Sequence, residues 1–241
     1  MTMLRDRATR RTKTIAVVAL PMILVAAFAL ASYTSLFATR DIRIEGAVTL
    51  TRADVLRLAG IGPGTNVFHL DADAVARALV ADPWIATASV ERHLPGTVVI
   101  RLQEREPIAR STTGSTTTVL AGDGVVLPGA SAGGLPEIRA SVGEPSDDAR
   151  TGAARALAAL ERILRARVGA VVVQPSGELV MDLAGDLTVH YGSPGDDAAK
   201  ATALRAVLAW AADQDEPLRE VDVTVPEAPS ATLVGGSTVT P

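Results

Sequence analysis

A long uncharged run near the N-terminus limits the structures that this chain can form. No charged side chain occurs from Thr14 to Thr39, and the apolar part of this run is 23 residues long. As a helix rising about 1.5 Å per residue, such a run extends for roughly 35 Å, which is enough to cross a bilayer with some tilt. The sequence therefore predicts a single N-terminal transmembrane helix over residues 14–38.

Basic residues precede this run and predict its orientation. The first 13 residues contain one acid, Asp6, and the following basic residues: Arg5, Arg7, Arg10, Arg11 and Lys13. Because positive charge is retained in the cytoplasm, residues 1–13 are expected to form a cytoplasmic tail, with the C-terminus outside the cell. A cleaved signal peptide is the alternative, since Ala29-Leu30-Ala31 resembles a cleavage site. The run is, however, longer than the roughly 7–15 apolar residues of a signal core.

Residues 39–106 show the pattern of a small β-α-α-β-β domain. Charged and apolar residues alternate around Ile42, as in a half-buried strand. Thr51 and Asp71 are candidate N-caps for two helices, and the second helix must end before Pro83. Two alternating segments follow on either side of the turn Leu94-Pro95-Gly96-Thr97, and they predict paired strands.

Residues 107–226 predict a second, mixed α/β domain with a largely antiparallel sheet, so that the fold class of the whole is α+β. Helices are expected around Leu157 and over residues 196–212, and strands over 168–173, 178–183 and 187–191. A last strand is expected over residues 220–225. The tail, residues 227–241, is rich in small and polar residues and is expected to be disordered.

Three stretches resemble the cell division family FtsQ, also called DivIB. They are IRIEGAVTLTRADVLRLAGIGPGTNVFHLD, ALVADPWIATASVERHLPGTVVIRLQEREPIA and VDVTVP. The resemblance implies that residues 39–106 are a POTRA domain and that residues 107–226 are the β domain of this family. It also implies a single-pass protein of the cell membrane, at the division septum, that acts as a scaffold for septal peptidoglycan synthesis.

The resemblance further implies two partners, an FtsB/DivIC-like and an FtsL-like division protein. In this family the last strands bind the partner, and the physical mode is strand addition at an open sheet edge. The residues predicted to bind the partner lie on the last strand: Val221, Asp222, Val223, Thr224 and Val225. The competing interpretation is that this segment is simply a core strand, which we favour for the inward-facing valines.

The sequence shows no constellation that would support catalysis. The three histidines, His69, His93 and His190, lie far apart, and there is no cysteine. We therefore expect no enzyme activity, no metal and no cofactor. Outside the first 13 residues the chain has 18 basic and 26 acidic residues, which argues against nucleic acid as a partner. A POTRA-bearing transport component and an unfamiliar cell-wall enzyme remain the alternative functions.

Overall fold

The computed structural model describes residues 20–240, and it divides into two compact units, Met1–Glu104 and Arg105–Pro241. Helix α1 occupies residues 20–32, and a short 3₁₀ helix follows at Ser35–Phe37. Within residues 20–240 no helix has both the length and the apolar character needed to cross a membrane. The prediction of a transmembrane helix is therefore wrong for the described residues. Its first part, residues 14–19, and the basic tail, residues 1–13, lie outside them.

Polar contacts explain why α1 ends within the uncharged run. Ser32 Oγ donates a hydrogen bond to the carbonyl of Ala29 at 2.7 Å, and Thr34 Oγ1 donates to the carbonyl of Ala31 at 2.6 Å. Asn66 Nδ2 donates to the carbonyl of Ser32 at 2.7 Å. The last carbonyls of a helix have no partner within the helix, and these side chains supply one. A count of uncharged residues does not detect such an end.

The first unit has the predicted element order β-α-α-β-β. Its elements are β1 (Asp41–Glu45), α2 (Arg52–Ala59), α3 (Ala72–Val80), β2 (Ile85–His93) and β3 (Thr97–Glu104). The strands form one sheet in the order β1-β3-β2, in which β1 runs parallel and β2 antiparallel to β3. Both helices begin at the predicted caps. Thr51 forms a capping box with Asp54, and the Asp71 side chain accepts from the backbone N–H of Ala74.

The second unit contains nine strands and three helices within the described residues. The strands are β4 (Pro107–Thr113), β5 (Thr116–Ala121), β6 (Glu137–Ala140), β7 (Val168–Val173), β8 (Leu179–Leu183), β9 (Leu187–Gly192), β10 (Leu218–Asp222), β11 (Ser230–Leu233) and β12 (Thr238–Val239). The helices are α4 (Asp147–Ala159), α5 (Arg162–Arg165) and α6 (Asp197–Gln214). The nine strands form a single sheet in the order β12-β11-β10-β9-β8-β7-β6-β4-β5.

Parallel pairing makes the fold class mixed α/β, which corrects the α+β prediction. Strands β4 and β6, β6 and β7, and β9 and β10 are parallel neighbours. Helices α4 and α5 lie in the connection from β6 to β7, and α6 lies in the connection from β9 to β10. Parallel neighbours require such crossover connections, whereas hairpins produce the antiparallel pairs. The prediction of a largely antiparallel sheet did not include these parallel pairs.

The core of the second unit lies between the sheet and helices α4 and α6. Its largest fully buried side chains come from both layers: Ile138, Leu157, Leu179, Met181, Tyr191 and Leu204. Alternate residues of β8 and β9 are buried, so their remaining residues lie on the opposite face of the sheet. That opposite face carries Val180 and Asp182 of β8 and Thr188 and His190 of β9.

Residues 227–240 also differ from the sequence expectation of a disordered tail. Strands β11 and β12 lie within them and extend the sheet beyond β10. Ala231 of β11 is 1% exposed and belongs to the core of the second unit. The segment is therefore held by backbone pairing and by one buried side chain, although its composition is mainly small and polar.

Candidate functional site

Of the residues predicted to form the partner strand, only Val221 and Asp222 belong to a strand, β10, which lies in the interior of the sheet. Strand β10 pairs with β9 on one side and with β11 on the other, so its backbone is not an open edge. Val221 and Val223 are fully buried, and the N–H of Val223 donates to the carbonyl of His190 at 3.0 Å. The two valines therefore support the core.

The other predicted residues, Asp222, Thr224 and Val225, come together at a pocket of about 460 Å³. Four of its lining residues form a single row across adjacent strands, because strand register pairs Val180 with His190, His190 with Asp222, and Asp222 with Ser230. The remaining lining residues are Glu178, Leu179, Gly192 and Ala228. We call this the row pocket. Val225 is 56% exposed and gives the row pocket an apolar wall.

Two carboxylates give the row pocket a negative character. Asp222 Oδ1 accepts the backbone N–H of Thr224 at 2.8 Å, and Glu178 Oε2 accepts the hydroxyl of Ser176 at 3.0 Å. Neither carboxylate forms an ion pair within residues 20–240, and no lysine or arginine lines the row pocket. His190 Nε2 lies 3.9 Å from Glu220 Oε2. The row pocket is thus suited to a cationic or hydrogen-bond-donating side chain.

Gly192 shapes one side of the row pocket through its backbone. Its φ is +74°, a left-handed conformation that glycine adopts without steric cost. A Cβ atom at this position would lie 2.8 Å from Thr224 Cγ2, too close for a real side chain. The close approach of these two residues therefore depends on glycine.

At the end of the sheet nearer the row pocket, the free edge is β12, which lies two strands beyond β10. Strand β12 pairs with β11 through Val239 and Thr238, and it ends the strand order. The sequence did not predict this edge, because the composition of residues 227–241 indicated a disordered tail. The detectable signal was a pair of short β-prone runs around Gly235-Gly236, a pattern typical of a hairpin.

The histidines do not form a catalytic or metal site in the part of the chain that the structure describes. His69 Nε2 lies 3.1 Å from Ser32 Oγ, and its ring stacks on Tyr33, whereas His93 pairs with Glu91. No group of three or more potential metal-ligating residues was found among residues 20–240. The row pocket, with its two carboxylates and its apolar wall, is the candidate functional site.

The fold defines a protein with a β-α-α-β-β domain followed by a mixed α/β domain that carries the row pocket. The sequence family described as "POTRA domain, FtsQ-type" matches residues 37–105. Two relatives called cell division protein FtsQ align along most of the chain. The protein of Mycolicibacterium smegmatis is 28% identical over 214 residues, covering 88% of this chain and 62% of that one. The protein of Mycobacteroides abscessus is 26% identical over 215 residues, covering 89% of this chain and 67% of that one.

Residues 37–105 thus match an FtsQ-type POTRA domain, and the chain is similar to cell division proteins called FtsQ. It spans about three fifths of the length of the Mycolicibacterium smegmatis relative. A solved structure, the major extracytoplasmic domain of DivIB from Geobacillus stearothermophilus, aligns with 19% identity and a TM-score of 0.33. That alignment covers 47% of this chain and 96% of the DivIB chain, and its TM-score is too low to compare the two folds. None of these three proteins is described as an enzyme.

Proposed function

We propose that this chain is a non-enzymatic scaffold of the division machinery. It links early division components to an FtsB/DivIC-like and an FtsL-like protein that control septal peptidoglycan synthesis. Similarity to proteins called cell division protein FtsQ supports the division role, and the row pocket supports partner binding. Neither the transport alternative nor the cell-wall enzyme alternative has a supporting observation within residues 20–240.

We propose that both folded units act on the outer side of the cytoplasmic membrane, at the septum. The basic residues among the first 13 positions, which precede the uncharged run, support this side of the membrane. Protease protection of intact cells tests the assignment. We expect an added protease to cleave the second unit once the outer membrane or wall is permeabilised. We expect no cleavage from the cytoplasm. Cleavage by a protease expressed in the cytoplasm would contradict it.

The observation that carries the partner proposal is the row pocket at Asp222, Thr224 and Val225. The partner segment lies across this face of β10 and β11 and places a basic side chain against Asp222 and Glu178. Val221 and Val223 contribute indirectly to partner binding, because their buried side chains hold β10 in the core. The free edge of β12 supplies backbone groups for an adjoining part of the segment.

An Asp222→Asn substitution tests this proposal directly. The asparagine keeps an oxygen that accepts the N–H of Thr224, so the local turn remains, but it removes the charge. Hydrogen bonds to charged groups contribute about 1.5–3 kcal/mol, so the affinity for a purified FtsB/FtsL-like complex should fall by roughly tenfold or more. Asp213→Asn, an exposed change on α6, is the matched control. Equal affinity of the two variants would remove the row pocket from partner binding.

A further inference from the structure

The apolar residues of α1 are exposed around the whole helix. Residues 20–30 are all exposed, and none of them has a polar side chain. A helix that packs on a protein surface buries one side and carries polar residues on the other. A helix that is apolar on every side requires an apolar environment on every side, which lipid supplies and which another helix on one side does not. The exposure of α1 therefore indicates lipid as its environment.

Aromatic contacts join this helix to the loop between α2 and α3. The ring centroids of Phe28 and Phe68 lie 5.7 Å apart in an edge-to-face arrangement, and those of Phe37 and Phe68 lie 5.3 Å apart. Tyr33 stacks on His69 with ring centroids 4.3 Å apart, and Tyr33 is 75% exposed. Tyrosine is enriched at the lipid–water boundary because its ring is apolar and its hydroxyl is polar. The loop that carries Phe68 therefore lies where α1 leaves the apolar environment.

The turn between β2 and β3 lies at the same end of the first unit. The backbone N–H of Arg40 donates to the carbonyl of Gly96 at 2.8 Å, which joins this turn to the segment that follows α1. Leu94 in the turn is 54% exposed, and Leu36 in the 3₁₀ helix is 59% exposed. Exposed apolar side chains therefore continue from α1 onto the first unit. We call this surface the α1 end, and its members are Leu36, Phe68, His69 and Leu94.

Two arginines give the α1 end a positive charge. Arg92 Nη1 donates to the carbonyls of Leu70 at 2.8 Å and of Phe68 at 3.3 Å, so its guanidinium lies beside the loop. Arg40 lies beside Gly96 of the β2–β3 turn, and both arginines are exposed. Anionic lipid headgroups attract basic side chains that lie near the membrane surface. The charge of the α1 end therefore matches that of an anionic lipid surface.

The carboxylates that are adjacent in sequence to these groups have other partners. Asp41 pairs with Arg43, and Glu91 pairs with Arg101. The side chain of Asp71 caps α3. Neither arginine of the α1 end forms an ion pair within residues 20–240. Their positive charges are therefore not neutralised by a carboxylate of the described residues.

We propose that the α1 end of the first unit binds the surface of a lipid bilayer that contains anionic headgroups. Phe68, Leu36 and Leu94 enter the boundary between headgroups and acyl chains, and Arg40 and Arg92 contact headgroup phosphates. The proposal concerns contact with one surface and no crossing of the bilayer. It rests on the membrane location in the proposed function, and it is independent of partner binding at the row pocket.

A paramagnetic lipid locates this contact on the unaltered chain. The ¹⁵N-labelled full chain is placed in nanodiscs of phosphatidylcholine and phosphatidylglycerol, with and without a lipid that carries a nitroxide near its headgroup. We expect the nitroxide to broaden the amide signals of residues 66–70 and 92–94. The signals of residues 46–50 should stay sharp, because the N–H of Val48 is bonded to Glu104, at the other end of β3.

Two matched variants assign the contact to the α1 end. Leu94→Asp and Val48→Asp each replace an exposed aliphatic side chain with a carboxylate, at opposite ends of the first unit. Leu94→Asp should reduce the broadening of residues 66–70 severalfold, because it removes apolar area and adds a charge that the anionic surface repels. Val48→Asp should leave the broadening of residues 66–70 unchanged.

The outcomes separate this proposal from the membrane location itself. Broadening of α1 without broadening of residues 66–70, or equal effects of Leu94→Asp and Val48→Asp, would overturn the proposal and leave the membrane location intact. No broadening anywhere in residues 20–240 would remove the membrane location as well. Nanodiscs of phosphatidylcholine alone should reduce the broadening of residues 66–70, and an unchanged broadening there would overturn the assignment to anionic headgroups.

Discussion

Replacement of Glu104 tests how the first unit holds the connection between β1 and α2. Glu104 is the last residue of β3, and its carboxylate accepts three consecutive backbone N–H groups. The bonds are 3.0 Å from Val48, 2.8 Å from Thr49 and 2.9 Å from Leu50. Burial works to raise the pKa of Glu104, but these three donors outweigh it and lower the pKa below its usual value of 4.5.

The magnitude follows from these three bonds. A hydrogen bond to a charged acceptor contributes about 1.5–3 kcal/mol, but water reaches this site and will replace part of the loss. We therefore expect Glu104→Ala to lower the free energy of unfolding of the first unit by about 2–3 kcal/mol. Glu104→Gln keeps an acceptor oxygen and should cost about 1 kcal/mol.

The pH dependence has a definite sign. A carboxylate whose folded pKa lies below its unfolded value stabilises the fold fully above the unfolded pKa. That stabilisation is lost as the pH falls through the lowered folded pKa. Acidification below about pH 4.5 should therefore weaken the first unit of the wild-type chain more than that of Glu104→Gln.

Urea unfolding followed by tryptophan fluorescence provides the measurement. The chain has two tryptophans, Trp84 in the first unit and Trp210 in the second, so a Trp210→Phe background reports on the first unit alone. Glu45→Gln is the control, because Glu45 forms only an exposed pair with Arg101 and should cost less than about 1 kcal/mol. If Glu104→Ala costs no more than this control, the three backbone bonds do not hold the connection.

Three further predictions concern caps, the row pocket and the core. Thr51→Ala removes the acceptor of the Asp54 N–H and should lower the stability of the first unit by about 1 kcal/mol, measured through the fluorescence of Trp84. Gly192→Val should destabilise the second unit by more than about 1 kcal/mol, since a side chain there is both strained and in contact with Thr224, and unchanged unfolding would refute the close approach. Leu204→Ala, at a fully buried site of α6, should cost about 2–5 kcal/mol in the unfolding of the second unit, and a loss below about 1 kcal/mol would place this side chain outside the core.

Local signals in the sequence were sufficient to predict the order of helices and strands over residues 41–104 of the first unit, although not the end of α1. Thr51 and Asp71 start their helices as expected, because capping depends on residues only three positions apart. The second unit depended on pairing between distant segments. Nothing near β10 in the sequence indicates that β11 covers it, and nothing local shows that β9 is its parallel neighbour.

The candidate site was predictable only in part, for the same reason. Asp222, Thr224 and Val225 were predicted from the chain's last recognisable strand, and the structure brings them to one pocket. Their neighbours Val180 and His190 join them through strand register, which no local pattern encodes. The prediction of an open edge at β10 was wrong, because residues 230–233 form β11 and pair with that edge.

The most direct test of the account is complementation of cells depleted of this protein with the Asp222→Lys variant, followed by microscopy. Asp213→Lys, on the exposed surface of α6, is the matched control, and immunoblotting confirms equal amounts of both variants. The control should restore division at the septum. Cells with Asp222→Lys should stay elongated and undivided, and the variant should no longer copurify with the FtsB/FtsL-like proteins, because the lysine repels a basic partner side chain. Normal division and intact copurification with Asp222→Lys would contradict the claim that the row pocket captures the partner.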